Sequence, residues 1–90
     1  MTGTTASGVR MHSDPHITQT IAAHVLFHLG RGGWAGSTFV QKLLQTFDVA
    51  DAPNRLQLAA GFPDYAAAYE LAKYTPDGVA VLQARADTDH

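Results

Sequence analysis

The fold is decided by a glycine-rich stretch at residues 29–38, which reads LGRGGWAGST. Four of the eight glycines of the chain fall between positions 30 and 36, so the backbone there is free of the steric limits that a Cβ imposes. The stretch also carries Trp34, the only tryptophan, and it separates two segments with helical periodicity. It predicts a turn between two helices, with Trp34 either packed onto the domain or presented to a partner.

The 90-residue chain has the composition of one small globular domain. Its residues are 46% hydrophobic and 16% charged, which is typical of folded chains. The formal net charge is −2, and no two of the six basic residues are closer than 11 positions. Nucleic-acid-binding surfaces concentrate basic residues, so this spread argues against nucleic acid as a partner. The absence of cysteine excludes disulfides and thiolate metal sites.

The pattern of small and polar residues predicts three regions. Residues 1–13 lack periodicity and are expected to be a disordered arm, in which Met11 is a candidate for the natural start. A single helical domain follows at residues 14–86, and residues 87–90 form a frayed polar tail. No segment has the roughly 20 apolar residues needed to cross a bilayer, and the N-terminus lacks an apolar signal region. We therefore expect a cytoplasmic protein without a membrane partner.

Caps and prolines divide the domain into short helices. Each expected start combines a capping side chain or a proline with the beginning of an apolar periodicity. The starts are Asp14-Pro15, Thr38 with Gln41 as a capping box (Ser37 is the alternative cap), Asp51-Ala52-Pro53, Phe62-Pro63-Asp64 and Thr75-Pro76-Asp77. Gly30 and Gly61 are expected to end the first and third helices. Since no strand-like alternation persists, the fold class is all-α, a compact bundle of four or five short helices.

The apolar spacing of each helix predicts its core face. From the first helix to the last, the expected core residues are Ile17, Ile21 and Val25; Phe39, Val40, Leu43, Leu44 and Phe47; Leu56, Ala59 and Ala60; Tyr65, Ala66, Tyr69 and Ala72; and Val79, Leu82 and Ala86. Tyr74 lies off the line of Tyr65 and Tyr69, so we expect it to be exposed.

His24 and His28 are four residues apart on one helical face, a spacing that can hold a metal ion. A metal site would need a third ligand, such as His12, His16 or an aspartate, and the sequence has no HExxH pattern. We favour two neutral histidines at the edge of the core. The prediction is therefore no metal, with His24 and His28 as weak candidates.

The residues that carry chemistry predict a non-enzymatic protein without a cofactor. Glu70 is the only glutamate, most aspartates stand at helix starts, and no serine lies in a nucleophile elbow. The glycine stretch departs from dinucleotide and P-loop fingerprints, because a helix precedes it and no Gly-Lys-Ser/Thr is present. A backbone nest that binds a phosphate or a partner's carboxylate beside Arg31 remains an alternative.

Residues 21–82 carry a recognisable set of motifs. These are His24, Arg31-Gly32-Gly33-Trp34, Gly36-Ser37-x-Phe39, Leu58-Ala59-x-Gly61-Phe62-Pro63-x-Tyr65 and Asp77-Gly78. In these motifs the chain resembles a group of small uncharacterised helical proteins encoded by actinobacterial phages. The resemblance implies a viral protein made inside an actinobacterial host, and it brings no activity and no functional residue.

Three functional hypotheses follow. The first is a phage accessory protein that binds a host or phage protein, with contact residues Arg31, Trp34, Phe62 and Tyr65. The second is a small DNA-associated regulator, whose second and third helices form a helix-turn-helix-like pair. Its candidate contacts are Gln41, Lys42, Gln45, Asn54 and Arg55. The third is a structural phage component that forms homo-oligomers.

Overall fold

Five helices follow one another along residues 17–87, the part of the chain that the computed structural model describes. They are α1 (Gln19–Leu29), α2 (Thr38–Val49), α3 (Ala52–Gly61), α4 (Pro63–Tyr74) and α5 (Gly78–Asp87). No strand occurs in these residues, so the predicted all-α bundle is confirmed. None of the five helices is long and apolar enough to span a membrane. The predicted arm at residues 1–13 and residues 88–90 of the tail lie outside the described range.

The first described helix starts later than the cap and proline pattern predicts. Thr18 is extended, and its Oγ1 accepts a hydrogen bond from the backbone N–H of Ile21 at 3.1 Å. Thr18 is therefore the N-cap, and α1 begins at Gln19. The expected start at Asp14-Pro15 lies outside the described residues. The expectation of one helix continuous from there is wrong, because Thr18 interrupts it.

α2 begins with the alternative cap. The Ser37 hydroxyl accepts from the N–H of Val40 at 3.2 Å, and Thr38 is already helical. The prediction of Thr38 as cap is wrong, and that of Ser37 is confirmed. Gln41 does not close a capping box; its Nε2 donates to the carbonyl of Gly36 at 3.0 Å. This bond ties the end of the glycine-rich stretch to the first turn of α2.

The core lies between α1, α2, α4 and α5. Its buried residues are Ala22, Ala23, Val25 and Leu26; Leu43, Leu44 and Phe47; Ala66, Ala68 and Tyr69; and Leu82 and Ala86. α1 packs against α5, α4 and α2, and the small alanines let these helices approach closely. The Phe47 and Tyr69 rings stack with centroids 5.3 Å apart. The predicted core faces of α2, α4 and α5 are thus confirmed in their central residues.

Three predicted core positions are wrong: Phe39, Leu56 and Ala60, of which Ala60 is exposed on α3. Phe39 is 60% exposed at the start of α2, although its ring touches that of Phe62. Leu56 is 74% exposed, because α3 meets the domain through Leu58 and Ala59, which are half-buried. Periodicity identifies an apolar arc on a helix, but the neighbouring helices decide which part of that arc is covered.

α3 is the least enclosed helix. It contributes no buried residue, and its main contact is with α4. Asp51 caps it through the N–H of Asn54 at 3.1 Å, and Pro53 lies in its first turn. The Asp51 cap and the end of the helix at Gly61 were both predicted and are confirmed. α3 is therefore defined by its ends rather than by its packing.

Candidate functional site

The glycine-rich stretch begins with a tight helix end. Gly30 has a φ of 72°, in the left-handed region where a glycine avoids a steric penalty. The N–H groups of Gly30 and Arg31 donate to the carbonyls of Phe27 and Leu26 at 3.1 and 2.9 Å. These two bonds form a Schellman motif. The predicted helix end at Gly30 is confirmed, and the chain leaves α1 in a fixed direction.

Two further contacts hold the stretch against the bundle. Gly33 has a φ of 70°, and a Cβ at this position would collide with the carbonyl group of Ala23 in α1. Only glycine allows the backbone to lie so close to the helix. On the other side, Gln83 of α5 donates through Nε2 to the carbonyl of Arg31 at 3.0 Å. The loop is thus fixed to both α1 and α5.

Trp34 is nevertheless 46% exposed. It lies beside a groove of about 440 Å³, which we call the Trp34 groove. Besides Trp34, the side chains that line this groove are Leu26, Arg31, Gln83, Ala86 and Asp87. The groove places an aromatic ring next to one cationic and one anionic side chain, both exposed. The sequence predicted that Trp34 either packs onto the domain or is presented to a partner. In the structure about half of the ring is covered by the domain and the rest faces solvent.

The four predicted contact residues do not share one surface. Arg31 and Trp34 line the same groove. Phe62 instead lines a second groove of about 400 Å³ between α2 and α3, together with Val49. Tyr65 is half-buried against α1, so its hydroxyl is engaged inside the domain.

Tyr65 pairs with His24. Nδ1 of His24 and the Tyr65 hydroxyl share a hydrogen bond of 2.8 Å, and the two rings are nearly parallel with centroids 6.1 Å apart. Burial lowers the pKa of His24 and raises the pKa of Tyr65. Both groups are therefore held in their neutral forms. Forty-one residues separate them along the chain, so no local pattern could have predicted the pair.

A second polar cluster lies one turn further along α1. Nε2 of His28 donates to Oδ2 of Asp48 at 2.8 Å, and the Tyr69 hydroxyl donates to Oδ1 at 2.6 Å. Burial and the hydrogen bond to Asp48 raise the pKa of Tyr69 above its usual range. The cluster joins α1, α2 and α4. Both oxygens of the carboxylate serve this structural connection.

The two histidines thus lie where the favoured interpretation placed them, half-buried at the edge of the core. Each has one ring nitrogen in a hydrogen bond to a protein side chain. Within residues 17–87, no group of three or more histidine, aspartate or glutamate side chains is positioned to hold a metal ion. His12 and His16, the suggested third ligands, lie outside these residues.

The residues of the DNA-binding hypothesis are divided between two helices. Gln41, Lys42 and Gln45 are exposed on α2, and Asn54 is exposed on α3. Arg55 is engaged within the domain: its guanidinium lies over the ring of Tyr74, 5.9 Å from the centroid, and also donates to the Tyr74 hydroxyl at 3.2 Å.

Comparison with known proteins identifies no relative: no family model, curated protein or solved structure matches this chain. The geometry of the Trp34 groove and of the groove between α2 and α3 is therefore the basis for the functional argument.

Proposed function

We propose that this protein is a non-enzymatic phage accessory protein that binds a host or phage protein through the Trp34 groove, in the cytoplasm of an actinobacterial host. The observation that carries the proposal is the exposure of Trp34 on a loop that is fixed on both sides. A mobile loop could expose a tryptophan without consequence. Here the backbone before the ring is held by α1 at Gly33 and by α5 at Arg31, and the backbone after it is held by Gln41 of α2, so the exposure of the ring is part of the folded structure.

The physical advantage of such a loop lies in its entropy. Ordering a flexible segment costs free energy at the moment of binding, and a preformed loop avoids that cost. Tryptophan and arginine are also the residue types that most often dominate binding energies at protein interfaces. Trp34 would bury its exposed edge against an apolar side chain of the partner. Arg31, which makes no ion pair with any described residue, would bind a carboxylate there.

The experiment has two stages. The protein is first used as bait in an actinobacterial lysate, and the captured protein is purified. Its affinity is then measured for the wild type and for the variants Trp34→Ala and Arg31→Ala. We expect Trp34→Ala to weaken binding at least tenfold, which corresponds to about 1.4 kcal/mol. The native emission of Trp34 should shift to the blue on binding.

Tyr74→Ala is the matched control, because Tyr74 is an exposed aromatic residue that does not line the groove. It should bind the partner as the wild type does. Circular dichroism must show that Trp34→Ala keeps its helices. Equal affinities of Trp34→Ala and the wild type would contradict the proposal. Unfolding of Trp34→Ala would do so as well, because the ring would then serve the core.

A further inference from the structure

The Trp34 groove and the groove between α2 and α3 differ in the charges that line them. No charged side chain lines the groove between α2 and α3, so its lining does not indicate what would bind there. The Trp34 groove contains an exposed cation, Arg31, and an exposed anion, Asp87. Neither forms an ion pair with a described residue. The chemistry of an occupant can therefore be inferred for the Trp34 groove.

The glycine-rich loop contributes hydrogen-bond donors to this groove. Gly32 and Gly33 line it and are exposed, and their N–H groups make no hydrogen bond with any described residue. Arg31 adds a guanidinium, which has five N–H donors and no acceptor. The bond from Gln83 to the carbonyl of Arg31 and the contact of Gly33 with α1 hold this backbone in place. The loop thus suits a carboxylate or a carbonyl of an occupant.

α5 contributes acceptors to the same groove. Gln83 uses Nε2 for its bond to the loop, which leaves its Oε1 as an acceptor without a described partner. Asp87 is the last residue of α5 and follows Gln83 by four positions, so both lie on one face of the helix. The C-terminal end of a helix is already partly negative. Asp87 adds negative charge where helix electrostatics disfavour it, and this end of α5 suits a cation.

The remaining surface of the groove is apolar. Leu26 of α1 and Ala86 of α5 line it and are only 1% and 7% exposed. The ring of Trp34 lines it as well, with about half of its surface open to solvent. An apolar group that displaces water from this surface binds favourably. The groove therefore combines donors, acceptors and an apolar surface, and a small inorganic ion would satisfy one of the three.

We propose that the Trp34 groove recognises a peptide segment of its protein partner that carries an acidic and a basic side chain next to an apolar one. The carboxylate binds Arg31, the cation binds Asp87, and the apolar side chain covers the exposed part of Trp34. The backbone of the segment can accept from the loop and donate to Gln83. A segment with charges of one sign would bring a like charge to Arg31 or to Asp87, which is unfavourable. This inference rests on the proposed function and adds the chemistry of the partner.

The test is a selection of short random peptides, displayed as a library, on the immobilised full chain. We expect the wild type to enrich peptides that contain an acidic, a basic and an apolar residue. Arg31→Glu should lose the enrichment of acidic residues, and Asp87→Lys should lose the enrichment of basic residues. In each variant the new charge repels the side chain that the native charge attracts.

Two exposed residues outside the groove provide matched controls. Lys42→Glu changes the net charge as Arg31→Glu does, and Glu70→Lys changes it as Asp87→Lys does. Both controls should enrich the same peptides as the wild type, and circular dichroism should show native helicity for all four variants. A wild type that enriches no peptide, or peptides without a basic residue, would overturn the proposal. So would an Asp87→Lys variant that enriches the same peptides as the wild type.

A synthetic copy of the most enriched peptide then tests the contact with Asp87 directly. Its binding is followed by the emission of Trp34. Asp87→Asn should weaken binding about two- to fivefold, as expected for an exposed ion pair, and added salt should reduce the difference. With a second peptide, in which the basic residue is replaced by glutamine, Asp87→Asn should have no effect. An equal loss with both peptides would show that Asp87 does not contact the basic residue.

The captured protein partner distinguishes failure of this inference from failure of the proposed function. If Trp34→Ala loses the partner and Asp87→Lys binds it as the wild type does, the proposed function stands and the inferred partner chemistry is wrong. If both variants bind it as the wild type does, the Trp34 groove is not the binding site and both proposals are refuted.

Discussion

α1 and α3 are helices of similar length, 11 and 10 residues, that are held in place in different ways. α1 lies between three other helices and buries Ala22, Ala23, Val25 and Leu26. α3 buries no residue, packs mainly against α4 and depends on a cap at its start. Most helical stability in proteins comes from packing. The comparison shows how one small domain combines a helix fixed by its neighbours with a helix fixed by its own ends.

The largest difference in stability between the two helices should appear when one leucine in each is replaced by alanine. Leu26 is fully buried in α1, so Leu26→Ala should lower the free energy of unfolding by about 2 to 5 kcal/mol. Leu56 in α3 is 74% exposed, and Leu56→Ala should change the free energy of unfolding by no more than about 0.5 kcal/mol. Urea denaturation of both variants measures the contrast. Equal losses would mean that α3 is packed as tightly as α1.

Glycine-to-alanine substitutions extend the comparison of α1 and α3 to the backbone next to each helix. Gly33→Ala puts a Cβ into the carbonyl group of Ala23 at a positive φ, and should destabilise the domain by about 2 kcal/mol. Gly61, at the end of α3, has open space around its Cβ position. Gly61→Ala should therefore be neutral or stabilise by up to about 1 kcal/mol. Thermal unfolding distinguishes them, and a harmless Gly33→Ala would show that the loop is not held against α1.

Loss of the cap should affect α3 alone. Asp51→Ala removes the side chain that accepts from Asn54 N–H, at a cost of about 1 kcal/mol. Since α3 has no buried residue, the cost should appear as faster amide exchange confined to α3. Hydrogen exchange measured residue by residue tests this. Asp51→Ser serves as the control and should retain slow exchange, whereas faster exchange in α1 would indicate that the two helices unfold together.

The smallest expected effect is a dependence of stability on pH, which arises from His24 in α1. Burial lowers the pKa of His24 below its usual value of 6.5, so folding favours the neutral ring. The resulting stability is complete above pH 6.5 and is lost as the pH falls towards the folded-state pKa. We expect the melting temperature to decrease below pH 6.5, and less so in His24→Gln. An identical acid profile for the two proteins would remove His24 as the cause.

The sequence predicts the helix boundaries well where the controlling residue is local. Gly30, Ser37 and Asp51 each act on backbone groups within a few positions, and their roles can be inferred from residue type and spacing. Thr18 was missed because Asp14-Pro15 offers a stronger start signal. Leu56 was misplaced because its exposure depends on how α3 meets α4, which no pattern within α3 contains.

The candidate site was less predictable than the fold. Trp34 and Arg31 were identified from residue type, but the groove beside them is completed by Gln83 and Ala86, some 50 residues further along the chain. The pairing of His24 with Tyr65 is equally non-local.

The packing of α1 against α5 has a consequence for folding while the protein is being synthesised. Nε2 of Gln19 donates to the carbonyl of Ala86 at 2.8 Å, a contact across 67 residues. Chains are synthesised from the N-terminus at about 5 to 20 residues per second, so α1 emerges several seconds before its main neighbour exists. During that interval the side of α1 that packs against α5 has no native partner, and a chain arrested at Tyr74 would present that side to chaperones. The last helix made is therefore the one that closes the core.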